Sequence, residues 1–318
     1  MDARNFNQPI SGMDVPRFAG PVTFMRLPYI PMEEASGIDI GIVGVPWDGG
    51  TTNRAGPRHG PRQMRDVSAM IRRVHPIHRM SPYDLVNVAD LGDAPVNPAD
   101  VQDALDRIAT WYKKLIAKGI RPLSAGGDHL CSLPILRAVG EKRPVGMIHF
   151  DAHSDLWDGY FGGFKFTHGT PFCRAIEEGV LDPKRTIQIG LRGSVYDFED
   201  RDFGEKHGVT MLGIEDATAM GPEKVMELAR KVAGDGPTYV SFDIDCLDPA
   251  YAPGTGTPEA GGFTNREAIA MLRGLKGVNL VGADVVEVSP PFDPSGYTAL
   301  NGVTMMWELL CIMALAKK

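Results

Sequence analysis

Eight short apolar runs, spaced along nearly the whole chain, constrain the fold more than any other feature of the sequence. They are rich in Val and Ile, and most are hydrophobic at nearly every position, as expected for strands that are buried on both faces of a parallel sheet. The runs are Asp39–Val45, Leu85–Val88, Arg121–Ser124, Val145–Phe150, Thr186–Ile189, Thr210–Leu212, Thr238–Phe242 and Asn279–Val285.

Amphipathic segments with the spacing of helices separate these runs. The segments are Pro61–Val74, Pro98–Lys118, Cys131–Val139, Thr170–Glu178, Pro222–Ala233, Asn265–Arg273 and Ala299–Ala316. Regular alternation of strand and helix predicts an α/β fold with a parallel sheet of about eight strands, either open or closed into a barrel. Because no linker interrupts the pattern, we expect one domain over residues 1–318, with residues 1–35 as an N-terminal extension.

Composition and charge argue against several classes of protein. The net charge of −7 and the lack of a long Lys/Arg cluster argue against a nucleic-acid partner or an anionic membrane surface. Met1–Gly20 lacks the apolar core of a signal peptide, and polar residues interrupt the apolar run Ala299–Ala316, which predicts a buried helix. The cysteines form no CxxC pair, so we expect reduced thiols. These features predict a soluble cytoplasmic protein.

Acidic and imidazole side chains cluster directly after three of the predicted strands. Alternate residues of an extended strand point the same way, so those at i, i+2 and i+4 can converge on one point. Several aspartates brought together would repel one another strongly unless cations neutralised them. The candidate metal ligands are His129, Asp151, His153, Asp155, Asp243 and Asp245.

These ligands are too many for one ion that keeps an open position for a reactant. Two ions about 3.5–4 Å apart that share bridging aspartates account for the whole set. Carboxylate oxygens with a minority of imidazole nitrogens suit Mn²⁺ and do not exclude Ni²⁺ or Co²⁺. An isolated Asp-x-Asp pair is more often a turn or a helix cap, but the three segments together indicate a two-metal hydrolytic centre.

The three metal segments resemble the metal motifs of the ureohydrolase family, which includes arginase, agmatinase, guanidinobutyrase, guanidinopropionase and proclavaminate amidinohydrolase. They read SAGGDH from Ser124 to His129, FDAHSD from Phe150 to Asp155 and SFDIDCLDP from Ser241 to Pro249. The similarity runs from about Gly41 to the C-terminus. Three further segments are more similar to the agmatinase and guanidino-acid hydrolase branch than to arginase: GVPWD at Gly44–Asp48, THGTPF at Thr167–Phe172 and PGTGTPE at Pro253–Glu259.

The resemblance implies a three-layer α/β/α fold with an eight-stranded parallel sheet, two Mn²⁺ per subunit, and hydrolysis of a guanidino group to urea and an amine. It implies that one ion is held by His129, Asp151, Asp155 and Asp243, and the other by Asp151, His153, Asp243 and Asp245. It also implies that His168 shuttles protons and that Glu287 pairs with the substrate guanidinium. Asp245 is placed to accept a proton from the attacking water. Relatives of this kind imply a homo-oligomer, either a trimer or a hexamer.

The substrate is expected to be selected by the loop Leu156–Thr167, which is rich in aromatic residues. Its Asp158 and Tyr160 look more like guanidinobutyrase and guanidinopropionase than agmatinase, which favours 4-guanidinobutyrate or 3-guanidinopropionate. The carboxylate of such an ω-guanidino acid needs a cationic or hydrogen-bonding partner, for which Tyr160, Lys165, Arg54 and Asn53 are candidates. The amine of agmatine would instead need an acid, and Asp158 is the available one.

Other functions stay open at this point. The chain could be an agmatinase, a hydrolase of another small guanidine, or a formimidoylglutamase-like hydrolase that releases formamide in place of urea. A non-catalytic scaffold with the same fold can lose metal ligands, and the presence of all six argues against it.

Overall fold

The computed structural model describes residues 5–316, and eight parallel strands form one open sheet in this part of the chain. The strands are β1 (Ile40–Gly44), β2 (Val88–Asp93), β3 (Arg121–Ala125), β4 (Val145–Phe150), β5 (Leu181–Leu191), β6 (Thr210–Gly213), β7 (Thr238–Asp243) and β8 (Leu280–Val286). Their order is β2-β1-β3-β8-β7-β4-β5-β6, with every pair parallel. The sheet has two edges, β2 and β6, so it is not a closed barrel.

Helices cover both faces of the sheet. They are α1 (Gly60–Val67), α2 (Pro82–Leu85), α3 (Val101–Ala117), α4 (Ser132–Val139), α5 (Pro171–Glu177), α6 (Asp202–His207), α7 (Ile214–Ala233), α8 (Asn265–Arg273) and α9 (Tyr297–Leu315). Alternate residues of β4 serve the two faces: Ile148 joins one hydrophobic core with α7, α8 and α9, and Met147 joins another with α3, α4 and α5. The predicted three-layer α/β/α fold is therefore confirmed.

Helix α9 packs against the sheet as part of the core. It has the length and hydropathy of a membrane span, but 78% of its most apolar window is buried inside the protein. Its Glu308 is buried as well and pairs with Arg273, whose Nη2 lies 2.6 Å from Oε1, and with His75. A core helix accounts for these features, as the sequence predicted. All four cysteines are buried and lie outside any disulfide in the structure.

Two predicted elements lie elsewhere than the sequence pattern indicated. The second strand is Val88–Asp93, whereas the apolar run had indicated Leu85–Val88. This strand contains the charged residue Asp90, so its sequence is not continuously apolar. Asp90 can be buried there because Nε of Arg65 lies 3.0 Å from its Oδ2. Helix α7 begins at Ile214, whereas the sequence pattern had indicated a helix that begins at Pro222. The helix is interrupted at Gly221 (φ 76°), directly before the predicted start.

The segment before β1 packs partly onto the sheet. Phe24 and Met25 are buried in the core, and the amide of Phe24 donates to Oδ2 of Asp90 at 2.9 Å. Phe18, by contrast, is 95% exposed. The second half of the segment therefore packs against the core of the same chain. The division of the chain into one domain with an extension over residues 1–35 stays a prediction, and residues 1–4 of that extension lie outside the described residues.

Candidate active site

The carboxyl ends of four adjacent strands, β3, β8, β7 and β4, carry the side chains of the site. His129 follows β3, Glu287 follows β8, Asp243 ends β7, and Asp151 follows β4. Parallel strands end at the same edge of a sheet, and reactive groups gather there in α/β proteins. The strand order thus brings together residues that are far apart in the sequence.

The side chains converge through turns, whereas we had expected alternation along extended strands. β4 ends at Phe150, and the backbone then bends, with Asp155 at a φ of 52° in the left-handed region. After β7, residues Ile244–Cys246 form a 3₁₀ turn, in which the amide of Asp245 donates to Oδ1 of Asp243 at 2.8 Å. Short turns therefore place Asp155 and Asp245 beyond the ends of their strands, whereas Asp243 is the last residue of β7.

Two glycines before His129 are required by close approach of the backbone. A Cβ atom on Gly127 would lie 1.6 Å from the carbonyl oxygen of Trp47, and one on Gly126 would lie 2.6 Å from Cγ1 of Val286. Any side chain at these positions would push the loop that carries His129 away from its neighbours.

The imidazole of His129 faces three carboxylates. Its Nδ1 lies 3.0 Å from Oδ2 of Asp151, 2.9 Å from Oδ2 of Asp155 and 3.1 Å from Oδ2 of Asp243. None of these contacts has hydrogen-bond geometry, so Nδ1 is a buried atom without a hydrogen-bond partner. Burial lowers the pKa of His129, but the surrounding aspartates outweigh that effect and raise it well above its ordinary value.

A second group of ligand atoms lies beside the first. Nδ1 of His153 is 3.1 Å from Oδ2 of Asp245 and 3.4 Å from Oδ1 of Asp151. Burial and repulsion from the neighbouring carboxylates raise the pKa of Asp243 and that of Asp245. The six predicted ligands thus form two adjoining groups that share Asp151.

This arrangement fits divalent metal ions. A buried nitrogen that faces three carboxylates outside hydrogen-bond geometry leaves its lone pair free for a cation between them. Carboxylates crowded enough to raise one another's pKa would be stabilised as anions by the same cations.

His168 and Glu287 form a buried pair beside the carboxylates. Nδ1 of His168 lies 2.8 Å from Oε1 of Glu287, and its Nε2 lies 2.8 Å from the hydroxyl of Thr52. Burial lowers the pKa of His168, but the charge of Glu287 and the hydrogen bond to it raise that pKa to about 9. Glu287 has a φ of 63°, and its Oε2 is buried without a partner. One oxygen of this carboxylate is therefore free to accept hydrogen bonds.

A layer of buried polar groups behind the site orients its ligands. Nε2 of His129 lies 2.8 Å from the hydroxyl of Ser241, which donates to Oδ1 of Asp284 at 2.7 Å. His149, which is fully buried, contacts Oδ2 of Asp151 through Nε2 at 2.8 Å. The sequence analysis missed these residues. A signal was present, since Ser241 and His149 stand two positions before Asp243 and Asp151 on the same strand face, and Asp284 interrupts an apolar strand.

A cavity of about 660 Å³ adjoins the cluster. Its lining includes Asn53, His153, Asp155, Tyr160, His168, Asp243 and Glu287. Of the residues predicted to bind substrate, the structure therefore brings Asn53 and Tyr160 to the cavity together with Glu287.

Asp158 and Lys165 are placed differently from that prediction. Neither belongs to the lining formed by residues 5–316. The ammonium of Lys165 pairs with Oδ1 of Asp158, which also receives Nη2 of Arg174 at 2.9 Å. Asp158 and Lys165 therefore form an ion pair with each other outside the cavity lining.

The sequence matches the profile of the arginase family over residues 38–311. The chain belongs to the arginase family. The resemblance read from the metal motifs is therefore confirmed, and relatives named guanidinopropionase and guanidinobutyrase confirm the branch of the family that it indicated.

Two relatives from Pseudomonas aeruginosa align with almost the whole chain. One, named guanidinopropionase, is 59% identical and covers 96% of this chain and 96% of its own length. The other, named guanidinobutyrase, is 45% identical and covers 98% of each. The fold of this arginase-family protein is also similar to that of proclavaminate amidino hydrolase from Streptomyces clavuligerus, with a TM-score of 0.91 at 39% identity, covering 95% of this chain and 100% of that one.

Proposed function

We propose that this protein hydrolyses the guanidino group of an ω-guanidino acid, 3-guanidinopropionate or 4-guanidinobutyrate, to urea and an ω-amino acid. The observation that carries the proposal is the free Oε2 of Glu287, a buried acceptor that lines the cavity beside four clustered aspartates. A planar guanidinium has donors on each edge, and a buried carboxylate is its natural partner. The names of the two Pseudomonas relatives support the choice of guanidino acids.

We propose that two divalent ions, most suitably Mn²⁺, are held by the six predicted ligands. His129, Asp151, Asp155 and Asp243 would hold one ion, and Asp151, His153, Asp243 and Asp245 the other. Bound ions would supply acidity, because they lower the pKa of a shared water from about 15.7 toward about 7. Ni²⁺ and Co²⁺ accept the same donors.

The protein's own residues account for binding and for proton movement. Glu287 orients the guanidinium with its plane toward the aspartates. Asp245 accepts a proton from the attacking water as the new C–O bond forms. His168, protonated at neutral pH because of Glu287, gives a proton to the nitrogen of the substrate chain as its C–N bond breaks. Asp245 passes its proton to the departing nitrogen as well, and His168 regains a proton from the hydroxyl of the intermediate as the C=O bond of urea forms. One guanidinium cation and one water thus give urea and a protonated amine.

Tyr160 and Asn53 are proposed to contact the aliphatic chain and the acid end of the substrate. Tyr160 presents an aromatic ring to the cavity, and the rings of Tyr160 and Tyr196 meet edge to face at 6.1 Å. Asn53 is held by its side-chain amide, which donates to the carbonyl of Gly256 at 3.4 Å. Asn53 lines the cavity, and its amide oxygen makes no hydrogen bond within residues 5–316.

The test is product identification with metal-reconstituted protein. The protein is incubated with 3-guanidinopropionate, 4-guanidinobutyrate, agmatine and N-formimidoylglutamate, and urea and formamide are quantified. We expect urea from the guanidino acids at the highest kcat/KM. Agmatine as the best substrate would contradict the acid assignment, and formamide release alone would contradict guanidino hydrolysis.

We also propose that the protein is a cytoplasmic homo-oligomer, a trimer or a hexamer. Exposed apolar side chains before β1, Met13 and Phe18, each 95% exposed, support an association surface. Light scattering coupled to size exclusion would distinguish these states from a monomer.

A further inference from the structure

The carboxylate of the proposed substrate needs a cationic side chain that is not already engaged in hydrogen bonds within the protein. Three arginines line the cavity: Arg54, Arg192 and Arg201. A guanidinium that is saturated by backbone carbonyls holds loops together and has few donors left for a ligand. The hydrogen bonds of each arginine therefore decide which of them can serve as an anchor.

Arg54 and Arg192 already donate hydrogen bonds to backbone carbonyls, Arg192 through all three of its nitrogens and Arg54 through two. Arg54 donates to the carbonyl of Thr255 at 2.6 Å and to that of Gly256 at 3.1 Å. Arg192 donates to the carbonyls of Asp245 and Glu259, each at 2.7 Å, and to others nearby. Both side chains thus hold loops near the predicted metal ligands in place through hydrogen bonds to backbone carbonyls.

Arg201 is in a different situation. Within residues 5–316 its guanidinium makes no hydrogen bond and no ion pair, and its side chain is exposed at the cavity. The neighbouring Asp200 interacts with it electrostatically without forming an ion pair. Arg201 stands at the start of α6, at the end of a segment that also brings Ser194, Tyr196 and Asp200 to the cavity.

We propose that Arg201 is the anchor for the substrate carboxylate and sets the preference for guanidino acids over agmatine. This inference rests on the proposed function. The cavity then has charges that complement both ends of a dipolar substrate: the free oxygen of Glu287 for the guanidinium and the uncommitted guanidinium of Arg201 for the carboxylate. The same positive charge disfavours the ammonium tail of agmatine.

The experiment compares Arg201→Gln, Arg201→Lys and Arg201→Glu with wild type on three substrates: 3-guanidinopropionate, agmatine and a neutral n-propylguanidine. Lys206→Gln is the matched control, because Lys206 is an exposed cation on α6 outside the cavity lining. We expect Arg201→Gln to lower the ratio of kcat/KM for the acid to that for n-propylguanidine on the order of 10- to 100-fold, mainly through KM. Arg201→Lys restores part of the ratio, Arg201→Glu shifts it toward agmatine, and Lys206→Gln leaves it unchanged.

Several outcomes would overturn the inference. An unchanged ratio in Arg201→Gln would show that the carboxylate is bound elsewhere. An equal loss on all three substrates, with no recovery in Arg201→Lys, would indicate a structural role at the start of α6. Failure of the proposed function itself is a separate result, because it would already be visible as a preference of wild type for agmatine or n-propylguanidine.

Discussion

Nδ1 of His168 lies 2.8 Å from Oε1 of Glu287, and the same oxygen accepts the backbone N–H of His129 at 2.8 Å. One carboxylate oxygen thus ties the proposed proton carrier to the loop of a predicted metal ligand, while the other oxygen is buried without a partner. Under the proposed function, Glu287, which has a φ of 63°, therefore takes part both in orienting the substrate and in supplying the proton.

Replacing His168 by Ala should lower kcat on the order of 100-fold at neutral pH, because proton transfer to the leaving amine loses its donor. Metal content should stay at the wild-type level, since His168 does not belong to either ligand group. Steady-state kinetics with metal analysis of the same sample measures both. His59→Ala, at an exposed histidine, is the control. Intact turnover in His168→Ala would remove the shuttle role.

Replacing Glu287 by Gln should weaken substrate capture and turnover together. The change keeps the shape of the side chain but removes the charge that pairs with the guanidinium and holds the proton on His168. We expect kcat/KM to fall by about 100-fold or more, since a buried partner of a charge is lost. Glu227→Gln, on the exposed face of α7, should be silent. A variant that keeps wild-type kcat/KM would place the guanidinium elsewhere.

The hydroxyl of Ser241 should matter for metal binding. It links His129 to Asp284, so Ser241→Ala leaves Nε2 of the ligand histidine without its partner and should weaken one metal site by about 10- to 100-fold. Tyr239→Phe is a matched control, because Tyr239 donates to the same Asp284 at 2.8 Å without touching His129. Competition with a chelating dye measures affinity. Equal weakening of metal affinity in both variants would show that the affinity depends on the hydrogen bonds of Asp284 and not on the link to His129.

The His168–Glu287 pair should make the metal-free protein lose stability as pH rises. The folded-state pKa of His168 is raised from 6.5 to about 9, so the contribution is fully present below the unfolded value and is lost as pH rises through about 9. In chelator-treated protein, the difference in unfolding free energy between wild type and His168→Ala should shrink by up to about 3 kcal/mol between about pH 6 and about pH 10. Urea denaturation at each pH gives this difference. A difference that does not change with pH would mean that the proton on His168 contributes nothing to folding.

The layout of the fold could be predicted because strands buried on both faces are apolar at nearly every position. β4 and β7 were predicted to within a residue on that basis. β2 was misplaced because its buried Asp90 is compensated by Arg65, which is remote in sequence. The short helices α2 and α6 were missed because their four and six residues are too few to show a periodicity.

The candidate site was predictable where its residues share short motifs and unpredictable where the contacts join segments that are far apart in the sequence. His129, Asp151 and Asp243 follow strands whose order brings them together. Asp158 and Lys165 have the chemistry of a substrate partner, but the sequence could not show that they neutralise each other. Nor could it show that Arg54 donates two hydrogen bonds to the carbonyls of a distant loop, whereas Arg201 makes none within residues 5–316.

The most direct test of the account is a competition in one vessel. Metal-loaded protein receives equal concentrations of 3-guanidinopropionate and agmatine, and mass spectrometry follows β-alanine and putrescine as they form. We expect β-alanine to accumulate first, with one urea for each β-alanine, while agmatine is still intact. Putrescine formed ahead of β-alanine, or consumption of neither substrate by fully loaded protein, would contradict it.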